Sequence, residues 1–237
     1  MYTLEQERPR RVLILSGDHV YKMDYSRLLR FHEEKDADLT VACVEMPRER
    51  ACQLGVMEID PDARIVGFEE KPEDPKPVPG APDRSLVSMG VYVFRTEALV
   101  RSVVEDAKRN TAHDFGKNII PDLVNRGRVF AFKFHDENRK EVQYWRDIGV
   151  IDTYWEANMD LVGADPLFNL YDNAWPIRTY QEQYPPAKTV FEGEVAGGFL
   201  LNSLVAGGCI ITGAVWSAPY SPTACASTTA RRSRTPS

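Results

Sequence analysis

The sequence predicts an α/β fold built on a mainly parallel sheet, followed by the first turns of a parallel β-helix. Three observations lead there. Arg11–Leu15 (RVLIL) is a short run that is apolar on both faces, as a strand buried in a parallel sheet must be. Strand-like and helix-like segments then alternate to about residue 163, the order of βαβ units. From Gly197 the pattern changes: Leu204, Ile210 and Trp216 recur every six residues, as do Val205 and Ile211, and Gly207 and Gly213. Two copies of such a hexapeptide fit an ordinary sheet equally well.

Each element has its own signal. After RVLIL, Asp24 is placed to cap a helix whose Tyr25, Leu28, Leu29 and His32 share one face. Asp38–Met46 reads as the next strand. Val56–Asp60 and Arg64–Phe68 flank Pro61-Asp62, a hairpin signal. Residues 72–84 hold five prolines in thirteen positions and read as a surface loop. Leu86–Phe94 is a strand, Thr96–Arg109 and Asp114–Asn125 are helices, Val129–Phe134 is a strand and Asp152–Val162 a helix. Residues 164–196 lack a clear period and read as a linker, with the β-helix beginning over 197–216.

Composition narrows the function. Apolar residues make up 43% and charged residues 27%, the balance of a globular domain with a real core. With 29 basic against 35 acidic residues, the net charge of −6 argues against a surface that coats nucleic acid. No apolar run approaches the roughly 20 residues of a membrane span. The residues after Met1 form no apolar signal segment, and Cys43, Cys52, Cys209 and Cys225 show no C-x-x-C spacing. Reduced thiols in a cytoplasmic protein are the expectation.

Three places could carry chemistry. Asp18 follows Gly17 at the carboxyl end of the first strand, where open α/β sheets bind ligands and a carboxylate suits Mg²⁺. A turn carboxylate or helix cap fits the spacing as well. Glu70 and Lys71 end a strand before Pro72: the lysine can meet a phosphate and the acid can hold sugar hydroxyls. A solvated charge run also explains them. Asp147 sits between Tyr144-Trp145 and Gly149, either as a second metal carboxylate or as an acid favoured by a helix N-terminus. His113-Asp114 reads as a helix cap, and no Walker loop, G-x-S-x-G or H-E-x-x-H occurs.

Seven motifs occur in order: LSGDHVYKMDY (Leu15–Tyr25), GFEEKP (Gly67–Pro72), SMGVYVF (Ser88–Phe94), HDFGKNIIP (His113–Pro121), YWRDIGVIDTYWEANMDL (Tyr144–Leu161), WPIRTY (Trp175–Tyr180) and PPAK (Pro185–Lys188). Together they resemble the bacterial glucose-1-phosphate adenylyltransferases over residues 11–216. The resemblance implies a Rossmann-like nucleotidyltransferase domain over 1–163, a linker over 164–196 and the start of a left-handed parallel β-helix over 197–216. It implies that ATP and α-D-glucose 1-phosphate give ADP-glucose and diphosphate with Mg²⁺, in glycogen synthesis, by a cytoplasmic homotetramer under allosteric control. Asp18 and Asp147 match the family's metal carboxylates, and Gly55, Glu70, Lys71 and Ser88 match its glucose 1-phosphate contacts. Catalytic roles then fall to Asp18, Lys71 and Asp147. The rivals are a sugar nucleotidyltransferase using UTP or dTTP, and a non-catalytic sugar-phosphate-binding subunit.

The sequence departs from that family at both ends. Its Gly-rich nucleotide loop, G-G-x-G-x-R-L-x-P-L-T, is absent, so the chain is expected to lack the amino-terminal part of the domain and to be inactive alone. Residues 217–237 hold three Arg and no acid, and sixteen of the 21 are Ser, Ala, Pro or Thr. One codon choice for them, read one base earlier, gives VRSVLSDGVRVDDCAQVEDAV, a peptide with β-helix spacing. A disordered, out-of-frame tail is the expectation.

Overall fold

The computed structural model describes residues 2–138, 142–178, 180, 182–190, 199–201, 203–212 and 215–217. In chain order the elements begin with helix α1 (Tyr2–Glu7), strands β1 (Arg11–Leu15) and β2 (His19–Tyr21), helix α2 (Tyr25–Glu34), strand β3 (Leu39–Pro47) and the short helix α3 (Arg48–Ala51). The hairpin of β4 (Gly55–Ile59) and β5 (Ile65–Glu70) follows, then the long strand β6 (Arg84–Arg95) and helix α4 (Thr96–Asp106). A π-helical turn (Phe115–Ile119) runs into α5 (Ile120–Arg126), and β7 (Val129–Lys133), β8 (Trp145–Asp147) and α6 (Ile151–Asp160) come next. Four short strands follow: β9 (Lys188–Val190), β10 (Phe199–Leu201), β11 (Ile210–Thr212) and β12 (Val215–Ser217).

These elements belong to two units. One comprises Met1–Gly17 with Met23–His135; the other comprises the described residues within Asp18–Lys22 and Asp136–Ser237. In the first unit a six-stranded sheet runs β5-β4-β6-β3-β7, with β1 also paired to β6. Pairing is parallel between β3 and β7 and antiparallel for β1–β6, β3–β6, β4–β5 and β4–β6. The strands β1, β3, β4 and β7 therefore share one direction, and β5 and β6 oppose it. The expected β1–α2–β3 crossover exists, but β6 is inserted antiparallel between its two strands. A sequence pattern cannot announce such an insertion, because β6 is equally apolar in either direction.

The core follows from β3, whose residues Leu39–Val44 are all buried between β6 and β7. Leu39, Val41 and Cys43 alternate onto one face, where Phe94, Leu99, Ile120, Leu123 and Val129 meet them. Asp24 caps α2 by accepting from Ser26 N at 2.9 Å, as its position promised. Leu28 and His32, one turn apart, are the buried residues of that helix. In the β4–β5 turn, the Asp60 carboxylate accepts from Asp62 N at 2.9 Å and Arg64 N at 2.8 Å.

Two elements differ from the sequence reading. Helix α4 stops at Asp106, short of Arg109. The helix expected over Asp114–Asn125 is a π-helical turn followed by α5. Pro121 carries no N–H and cannot donate to the carbonyl four residues back, so the regular ladder breaks there. The widened turn is seen in Ile119 N, which donates to Asp114 O at 3.3 Å, five residues earlier.

In the second unit β2 and β8 pair antiparallel, with His19 opposite Asp147 and Tyr21 opposite Trp145. The Tyr144 hydroxyl donates to Asp160 Oδ2 at 2.9 Å and Arg146 Nε to the same oxygen at 2.5 Å, tying the start of β8 to α6. Further on, β9 pairs parallel with β11 and β10 parallel with β12. The tail read as out of frame lies, from residue 218 onward, outside the described residues. Among the described residues no helix is long and apolar enough to cross a membrane.

Candidate functional site

In the second unit, the β2–β8 register gathers three metal-capable side chains. One ligand atom from each of Asp18, His19 and Asp147 lies within 4.8 Å of the others. Backbone bonds fix the two acids: Ile148 N donates to the Asp18 carbonyl at 3.0 Å, and Gly149 N to Asp147 Oδ1 at 2.8 Å. A Cβ on Gly149 would stand 3.1 Å from that same Oδ1, so residue 149 has to stay small for the carboxylate to keep its place. The His19 ring meets the Trp145 indole edge-on, with centroids 5.1 Å apart. Trp145 Nε1 is buried and meets no hydrogen-bond partner among the described residues. Two carboxylates and an imidazole suit a divalent cation, and oxygen donors of this kind favour a hard one.

In the first unit, the hairpin register sets Gly55 opposite Glu70. Lys71 follows in the left-handed region, at φ 53°, with its N–H donating to Leu54 O at 3.0 Å. That conformation turns the chain away from β5 just after the acid. Burial raises the Glu70 carboxyl above its ordinary value, and the nearby Asp114 charge adds to this, while Lys71 and Lys117 oppose it. Ser88 Oγ lies 3.2 Å from the Tyr92 hydroxyl and accepts from Gly90 N at 3.2 Å. Burial also raises the Tyr92 phenol, and the Glu70 and Asp114 charges add to that. Phe115 stacks on Tyr92 with the ring planes 16° apart.

The residues singled out from sequence thus fall into two groups. Asp18 and Asp147 come together in one unit. Gly55 and Glu70 meet across one hairpin in the other, with Lys71 next along the chain and Ser88 on β6. His19, Phe115, Gly116 and Lys117 carry no assigned role in the sequence reading, and Asp114 only that of a helix cap, which it fulfils by accepting from Lys117 N at 2.9 Å. The signal for His19 was its adjacency to Asp18 in a strand too short to show alternation. For 115–117 it was Pro121, which foretells an irregular turn.

A family model described as nucleotidyl transferase matches residues 2–163. The chain belongs to the nucleotidyl transferase family. Nucleotidyl transferases generally use divalent metal ions, and the Asp18–His19–Asp147 cluster offers this family member a place for one. The chain is 52% identical over 206 residues to glucose-1-phosphate adenylyltransferase 2 of Alkalilimnicola ehrlichii, covering 87% of this chain and 49% of the relative. It is 51% identical over 213 residues to the glucose-1-phosphate adenylyltransferase of Shewanella sp. strain ANA-3 (89% and 51% covered). It is 49% identical over 212 residues to that of Methylococcus capsulatus (89% and 50%). The chain spans about half the length of these curated relatives.

Proposed function

We propose that this chain carries the sugar-phosphate and metal-holding residues of a glucose-1-phosphate adenylyltransferase, which converts ATP and α-D-glucose 1-phosphate into ADP-glucose and diphosphate for glycogen synthesis. What supports the reading is its 49–52% identity, over most of its length, to proteins of that name. In the reaction a phosphate oxygen of the sugar attacks the α-phosphorus of ATP, and diphosphate leaves. Little covalent work falls to the protein; positioning and charge supply the rate.

The chain's residues divide that work. The Lys71 ammonium is a compact positive charge for the sugar phosphate. Glu70 accepts from sugar hydroxyls, Ser88 offers a hydroxyl on the neighbouring strand, and Gly55 leaves the carboxylate its space. Asp18 and Asp147 are the carboxylates to hold Mg²⁺, which when bound offsets the negative charge gathered by the two phosphates. The parallel pairs β9–β11 and β10–β12 are compatible with a β-helix beginning over 197–216, after a 1–163 catalytic domain and a 164–196 linker. A cytoplasmic location, where both substrates are made, and a homotetramer complete the reading.

The test is a chimera in which residues 11–216 replace the matching half of the Alkalilimnicola relative. Supplied with Mg²⁺, ATP and glucose 1-phosphate, it is expected to form ADP-glucose. Equal or faster product formation with UTP or dTTP would overturn the adenylyl assignment, and no product with any nucleotide would favour a non-catalytic sugar-phosphate binder.

A further inference from the structure

Glu70 is seated between two glycines that come from different elements. A Cβ on Gly55, across the hairpin, would stand 2.9 Å from Glu70 Oε2. A Cβ on Gly116, in the π-helical turn, would stand 2.7 Å from the Glu70 carboxyl carbon and closer still to Oε2. Real Cβ atoms do not reach such separations, so a residue larger than glycine at 116 has to displace the carboxylate, whereas one at 55 meets the Phe68 ring first, at 2.5 Å, and the carboxylate second. Among the described residues no hydrogen bond is made to the Glu70 carboxylate. Its place is therefore set by the shape of its surroundings, with Oε2 against both glycines.

The turn that supplies Gly116 is itself built for this position. Asp114 caps it by accepting from Lys117 N at 2.9 Å. Ile120 N donates back to Phe115 O, five residues earlier, which widens the turn by one residue. Phe115 is held by stacking on Tyr92 and by a tilted contact with Phe94, 5.8 Å between centroids. Gly116 is buried between these anchored neighbours and cannot retreat from Glu70 without breaking the cap or the stack.

We propose that Gly116 is a positioning residue for the reaction: by having no side chain in the widened turn, it seats the Glu70 carboxylate where a sugar hydroxyl is to be bound. The sugar part of this inference rests on the function proposed above; the seating of Glu70 does not. Gly116→Ala is expected to displace the carboxylate toward solvent. The Glu70 carboxyl, titrated by ¹³C NMR in the full chain, is then expected to fall from its raised value back to that of an ordinary glutamate. Affinity for glucose 1-phosphate, followed by calorimetry on the same protein, is expected to weaken roughly tenfold or more. Mn²⁺ binding should stay unchanged. Gly163→Ala, whose Cβ would meet nothing within 4 Å, should alter none of these.

Should Gly116→Ala fail to fold, Glu70→Asp in the same chain removes one methylene from the crowded side. Recovery of folding in the double variant supports the clash, and continued unfolding overturns the seating role. An unchanged Glu70 titration in a folded Gly116→Ala protein also overturns it. If the Glu70 titration shifts but the unsubstituted chain does not bind glucose 1-phosphate, the seating stands and the sugar-phosphate reading falls.

Discussion

Lys22 Nζ donates to Asp172 Oδ2 at 2.7 Å, joining residues 150 positions apart in the chain. The Lys22 side chain is 2% exposed, and the Asp172 carboxylate meets its ammonium there. The hydrogen bond from Lys22 holds the Asp172 carboxyl below its usual range, and the N–H groups of Ala174 and Trp175 add to this. The pair thus fixes the start of the WPIRTY stretch to the end of β2. Replacing the ammonium by an apolar chain of similar length, Lys22→Met, should release the stretch and raise the Asp172 pKa. A carboxylate with a lowered folded pKa stabilises above its unfolded value, and that stabilisation is lost as pH falls through the folded one. Limited proteolysis around 172–178 is therefore expected to quicken in Lys22→Met at neutral pH, and in the unsubstituted chain only in acid. Equal cleavage of both proteins at pH 7 would show that the pair does not hold the segment.

His32 makes the stability of the first unit pH-dependent in the mildly acidic range. Its ring is buried and bonded through Nδ1 to Thr40 Oγ1 at 2.8 Å. Burial lowers its pKa to about 4, and the Arg11 and Arg95 charges push the same way. A histidine that is neutral when folded binds its proton more readily once unfolded. Stability is therefore full above about pH 6.5 and declines as pH falls toward 4, by about 3 kcal/mol in all. Chemical denaturation from pH 7.5 to 4 should show that slope, and His32→Gln should flatten it while costing some stability at neutral pH. A slope unchanged by the substitution would assign the acid sensitivity to other groups.

How far these features can be read from sequence depends on the length of the element that carries them. Strand β1, helix α2 and strand β3 are long enough for their apolar periodicity and the Asp24 cap to declare them. The β2–β8 pair has three residues a side, so neither alternation nor composition marks it, yet it is what brings Asp18 and Asp147 together. Each acid stood out by its own surroundings, Asp18 after Gly17 at a strand end and Asp147 between an aromatic pair and Gly149, but only the motif resemblance joined them as one metal pair; the spacing between positions 18 and 147 says nothing by itself. The antiparallel insertion of β6 was hidden because Val87, Met89, Val91 and Val93 suit a buried strand of either direction. Gly116 was hidden for another reason. Its meaning lies in a close approach to Glu70, 46 positions earlier, and glycine in a helical pattern reads locally only as a weak point.

Cys43 should be the slowest of the described thiols to react. It lies in β3 between two hydrogen-bonded neighbours, fully buried, with its Sγ donating to Phe132 O at 3.4 Å. Burial raises the thiol pKa to about 12, so at pH 8 only about one part in ten thousand is thiolate. Cys52 is half-buried and Cys209 exposed. Alkylation with iodoacetamide under native conditions, mapped by peptide mass, should label Cys52 and Cys209 while sparing Cys43 until denaturant is added. Early labelling of Cys43 would mean that the β6–β3–β7 part of the sheet opens in the native state.

Metal and sugar phosphate are expected to separate cleanly between the two groups of residues. Asp147 is held by the Gly149 N–H, opposite His19 in the β2–β8 pair and within 4.8 Å, ligand atom to ligand atom, of Asp18, so Asp147→Asn removes one charged ligand without removing bulk. In the full chain its Mn²⁺ affinity, measured by calorimetry, should fall about tenfold or more, while glucose 1-phosphate affinity holds. In the chimera with the Alkalilimnicola relative, Asp18→Asn and Asp147→Asn should lower kcat by roughly a hundred- to a thousand-fold, because the charge they position matters most as diphosphate leaves. Lys71→Ala should instead raise the KM for glucose 1-phosphate about tenfold and leave kcat nearly unchanged, since a phosphate contact made equally in ground and transition states is uniform binding. Gly149→Ala gives an independent check: its Cβ, 3.1 Å from Asp147 Oδ1, should reproduce a milder form of the metal defect with no effect on the sugar KM. A Lys71→Ala protein that loses kcat, or an Asp18→Asn protein that loses only substrate affinity, would reverse the assigned roles.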